Sequence, residues 1–172
     1  MPPFAIKNII PSASVVLTTM LAALPWGLSS DSRFLLPMLP YAAIHFWAVR
    51  RPALMPEWIA FASGLATDVL THGPLGFWSL VFLLGLMFVQ ACRPAERWGA
   101  VGVWLHFAAT LSLLALAQWA IAAVFFMNAV DWRPFFNGAL LAALVYPLLC
   151  LVFAPLDRFW PEISRTRFDR GR

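Results

Sequence analysis

Charged side chains are scarce in this chain: Asp, Glu, Lys and Arg together make 12% of its 172 residues, where a soluble domain carries about 25%. Cysteine is scarcer still, and Cys92 and Cys150 stand in no zinc or disulfide spacing, so both read as packing residues. No segment is polar for long enough to fold as a soluble catalytic domain, and neither low-complexity tracts nor repeats of fixed period occur. What abounds is apolar surface, 62% of residues against about 45–50% in an average soluble domain. One small core cannot hide that much. Composition therefore implies lipid as solvent and one polytopic, all-α transmembrane domain over residues 1–172.

Six apolar runs are expected to span: 9–28, 34–49, 57–71, 75–91, 99–127 and 135–156. The first follows Lys7 like a signal peptide, but it is long enough to remain as an uncleaved helix, since a secretory apolar region is about 7–15 residues. The second and third are short for a bilayer of about 30 Å, whereas the fifth is long. Such uneven lengths predict an irregular bundle with some helices enclosed by others.

Basic residues fix an orientation. If the N-terminus is inside, ten fall on the inner side (Lys7, Arg50, Arg51, Arg93, Arg97, Arg158, Arg165, Arg167, Arg170 and Arg172) and only Arg33 and Arg133 on the outer. The positive-inside rule then puts both termini in the cytoplasm. The net charge of +4 is a topology signal and not a nucleic-acid footprint. The tail from residue 157 carries Arg158, Arg165, Arg167, Arg170 and Arg172, suited to anionic lipid headgroups or a cytoplasmic partner. Trp26, Trp47, Trp58, Trp78, Trp98, Trp132 and Trp160 lie near segment ends, where the interface favours them. Trp104 and Trp119 lie deeper.

The most polar interruption is "GLATDVLTHGPLG", residues 64–76. Within it, a carboxylate at the bilayer centre would cost about 3 kcal/mol, but Asp68 stands near an outer end. Its bland role is to bind backbone N–H groups at the start of the fourth helix; its functional role would be ion coupling or partner contact. Gly73 can take positive φ, Pro74 suits a first helical position, and Gly64 and Gly76 allow close backbone approach. Together with His72 they describe a tight hairpin facing outward. His45 and His106 are isolated on apolar helices with no ligand one turn away, so neither predicts a metal site; Tyr41, one turn before His45, is its expected partner. Glu57 suits the dipole at the start of its helix. Gln118 and Asn137 are expected to make interhelical contacts. No catalytic set, cofactor motif or metal motif is visible.

The stretch 39–84 resembles the core of the MreD family of rod-shape proteins. It has a prolyl start to the second helix, Phe46-Trp47, the Arg51-Pro52 break, Gly64-Leu65-Ala66-Thr67-Asp68 and Pro74-Leu75-Gly76. The resemblance implies a non-enzymatic inner-membrane scaffold without cofactor, regulating peptidoglycan synthesis in the elongation machinery. MreC would be a direct partner, and MreB, RodA and its class B transpeptidase would be complex members. On this likeness Trp47, Gly64, Asp68, His72, Gly73, Pro74 and Gly76 become structural or partner-contact residues. The family's fold is similar to that of the substrate-binding subunits of energy-coupling-factor transporters, so the alternative is a subunit for vitamin-type uptake.

Overall fold

The computed structural model describes residues 4–24, 26–27, 34–92, 98–127 and 130–158. These residues form α1 (Phe4–Ala22), α2 (Leu35–Arg50), a 3-10 turn (Pro52–Leu54), α3 (Glu57–Thr71), α4 (Phe77–Cys92), α5 (Ala100–Phe126) and α6 (Arg133–Arg158). No strand occurs among them. By length and composition, α5 and α6 can each cross a membrane. At 27 and 26 residues, they extend about 40 Å at a rise of 1.5 Å per residue.

The second helix is the centre of the bundle. From Pro40 to Val49 every residue of α2 is buried, and α1, α4 and α6 pack around it. A helix apolar all round is expected in such an enclosed position. Its 16 residues extend only about 24 Å, and its neighbours, rather than lipid, receive its sides.

Close approach between helices is built into the sequence at glycines, Gly64 and Gly85 among them. A Cβ on Gly64 would collide with the backbone of Trp78 and Ser79, which presses α3 against α4. A Cβ on Gly85 of α4 would strike the Tyr41 ring of α2. Hydroxyls join the remaining elements: Thr19 Oγ1 and Ser63 Oγ lie 3.0 Å apart between α1 and α3, and Trp47 Nε1 donates to Ser14 Oγ at 2.7 Å.

Several expectations need correction. Trp47 and Trp78 are core residues instead of interfacial ones, whereas Trp26, Trp58, Trp98 and Trp132 are exposed. Trp104 and Trp119 are half-buried and donate to the carbonyls of Ala143 and Val130 at 2.9 Å each. Asn137 faces outward. Trp160, Arg165, Arg167, Arg170 and Arg172 lie outside the described residues, as does the side chain of Arg158.

The two ends of the bundle differ. At one end lies the α3–α4 turn, with Leu75 exposed. At the other, Asp157 of α6 binds Arg50 Nη1 at 3.2 Å and Arg51 Nε at 3.0 Å, so α2 and α6 finish at the same end.

Candidate functional site

The 64–76 segment is built around Asp68. Its side chain is fully buried and accepts two backbone hydrogen bonds, from Gly76 N–H at 2.8 Å and Trp78 N–H at 2.9 Å. Those are donors that the start of α4 would otherwise leave unpaired. The carboxylate thus clamps the last turn of α3 to the first turn of α4, the bland role expected of it.

The turn differs in detail from its expectation. The positive φ falls on His72, at 56°, and on Gly76, at 93°, not on Gly73. His72 ends α3 in the left-handed conformation, and its N–H reaches the Val69 carbonyl while Gly73 N–H reaches that of Asp68 at 3.0 Å. This is the Schellman pattern, which satisfies two carbonyls at the helix end. Pro74 does not open α4. The helix starts at Phe77, whose N–H bonds the Pro74 carbonyl at 3.2 Å. The His72 side chain is exposed, and Leu75 at the tip is 73% exposed.

A second polar cluster escaped the sequence reading. His45 does not pair with Tyr41. Its Nδ1 lies 2.8 Å from Tyr146 Oη, and its Nε2 lies 3.1 Å from His106 Nδ1. Helices α2, α5 and α6 contribute one residue each. Phe88 and Phe107 pack their rings against the imidazoles. In its neutral form the chain has two proton arrangements. If Tyr146 donates, each imidazole passes a proton on, and His106 Nε2 holds an N–H. If the direction reverses, Nε2 is a lone pair. That atom is buried without a partner, as is Tyr41 Oη. No local spacing signals the cluster; only the packing of three helices assembles it.

Two cavities flank these groups. At the hairpin end an apolar space of about 640 Å³ opens among Phe34, Pro37, Leu75, Trp78, Ala122 and Phe135. Gln118 sits one turn below Ala122 on α5, fully buried, with neither amide atom hydrogen-bonded; the interhelical contact expected of it is not made. At the arginine end a smaller space of about 390 Å³ is lined by Arg50, Trp98, Gly99, Trp104, Tyr146 and Cys150, among others.

Among the described residues, no group of three or more His, Cys, Asp or Glu can hold a metal ion. Cys92 and Cys150 are free thiols. No family model, curated protein or solved structure matches the chain.

Proposed function

We propose that this chain is an MreD-like, non-enzymatic membrane scaffold that helps position peptidoglycan synthesis, with MreC as its direct partner and MreB, RodA and its transpeptidase in the same complex. It lies in the inner membrane as a multi-pass protein, with six helices and both termini in the cytoplasm. The ten-to-two charge bias supports that orientation, as does the shared arginine end of α2 and α6.

The observation that carries the reading is the bracing of the 64–76 hairpin by hydrogen bonds and close helix contact. Asp68 fixes its two helices by backbone hydrogen bonds, Gly64 holds them in contact, and Leu75 is presented at the exposed tip. A preorganised apolar turn suits a partner helix or extracytoplasmic segment, because little conformational freedom remains to be lost on binding.

Affinity purification of a tagged copy from native membranes in mild detergent, with mass spectrometry of the eluate, tests the proposal. MreC and the wall synthases are the expected companions. Recovery of an energy-coupling ATPase pair in their place would transfer the chain to the uptake reading. The apolar cavity at the hairpin end, with its unpartnered Gln118 amide below, favours that second reading: ligand sites are commonly about 300–1,000 Å³, apolar, with few polar groups.

A further inference from the structure

The cavity at the arginine end differs from its counterpart at the hairpin end in having a charged residue, Arg50, in its lining. Phe46, Trp98, Trp104 and Tyr146 supply aromatic walls, and a cation stands at its edge. The Arg50 side chain is 49% exposed. Its hydrogen bond to Asp157 uses Nη1, and its guanidinium lies 4.9 Å from the Phe46 ring centre. Asp157 is shared with Arg51, so two cations surround one anion and a positive charge is left over.

A second source of positive potential enters from α5. Gly99 and Ala100, at the start of that helix, line the same cavity. Gly99 caps the helix with no side-chain hydrogen bond, and the first intrahelical N–H bond is that of Val103, to the Gly99 carbonyl. The N–H groups of residues 100–102 therefore have no acceptor within the helix, and the dipole of a long helix adds roughly half an elementary charge there. The Trp98 ring also packs against the His106 imidazole.

We infer that this cavity binds the phosphate headgroup of an anionic lipid from the leaflet around the Arg50 end. The Arg50 fork and the α5 amides hold the phosphate oxygens, the tryptophans lie beside the glycerol region, and the acyl chains run along α5 and α6. A guanidinium suits this task because its planar donors match phosphate oxygens. Basic recesses between membrane helices are recurrent sites for such headgroups. The inference rests on the membrane reading above, but not on the identity of the protein partners.

The test uses the full chain, purified in detergent and examined by native mass spectrometry with phosphatidylglycerol or phosphatidylcholine added. Retention of phosphatidylglycerol is expected to exceed that of phosphatidylcholine by roughly five-fold, the worth of one basic contact. Arg50→Gln is expected to abolish the difference, and Arg133→Gln, at the opposite end, to keep it. Brominated phosphatidylglycerol should quench wild-type fluorescence more than that of Trp98→Phe, a measurement that stands even if Arg50→Gln folds poorly. Equal retention of the two lipids overturns the site. Displacement of the lipid by inorganic phosphate would assign it to a free anion and overturn the lipid claim. Failure of the protein to enter vesicles of either lipid would count against the membrane reading itself.

Discussion

His45 Nε2 and His106 Nδ1 lie 3.1 Å apart across two helices. Sixty-one positions separate them in the chain, and each looked like a solitary histidine on an apolar helix. The contact makes a buried polar junction of α2, α5 and α6, with Tyr146 as its third member.

Loss of the middle member should be the most damaging change there. His45→Ala leaves both Tyr146 Oη and His106 Nδ1 without their partner, and each orphaned buried group costs about 1–3 kcal/mol. Thermal unfolding in detergent should fall accordingly. His106→Phe removes one hydrogen bond and an already unpartnered atom, so a smaller loss is expected.

Gly64→Ala places a methyl group against the Ser79 backbone. Backbone cannot swing aside as a side chain can, so the two helices must part, at about 1–3 kcal/mol. Gly73→Ala meets only Thr71 Oγ1 at 3.5 Å and should be nearly silent. Melting temperatures of the pair distinguish a packing glycine from a tolerant one.

Asp68→Asn keeps one acceptor oxygen for two backbone donors and turns an NH₂ group towards the other. A hydrogen bond to a charged group contributes about 1.5–3 kcal/mol, so the hairpin should loosen, and faster proteolysis near residue 75 would report it. In cells the scaffold reading expects altered shape or no change. Loss of a solute's uptake with normal shape would favour the transporter reading.

Gln118→Leu removes two buried polar atoms that have no partner. Replacing unsatisfied polar groups by apolar ones of like volume is neutral or stabilising. Unchanged or raised thermal stability is expected. A loss of stability would reveal an unseen partner for the amide.

His72→Cys, in a background of Cys92→Ser and Cys150→Ser, should react with a membrane-impermeant maleimide on intact spheroplasts. Labelling that appears only after lysis would invert the orientation.

What was legible in the sequence was local. Gly64, Asp68, Pro74 and Gly76 lie within one hairpin, and the turn chemistry of so few residues restricts their geometry by itself. Even there the left-handed residue was His72 rather than Gly73, since both can end a helix and the choice depends on where α3 stops. The histidine junction was hidden for the opposite reason. Which faces of three nearly uniform apolar helices meet is decided by packing, and periodicity is silent when every face is apolar. Trp47 was misplaced because nearness to a helix end was equated with nearness to the interface. The α1 helix crosses that end and offers Ser14 Oγ to the indole.

The enclosure of α2 also constrains how the protein is made. Its residues from Pro40 to Val49 are buried in part against α6, which emerges well after α2 during synthesis. Tyr146, the hydroxyl that completes the His45 junction, arrives with it. Until then the imidazole of the second helix lacks that hydroxyl. Packing of α6 is therefore a late step in completing the core around α2, and a chain truncated before Arg133 should be degraded faster than the full chain.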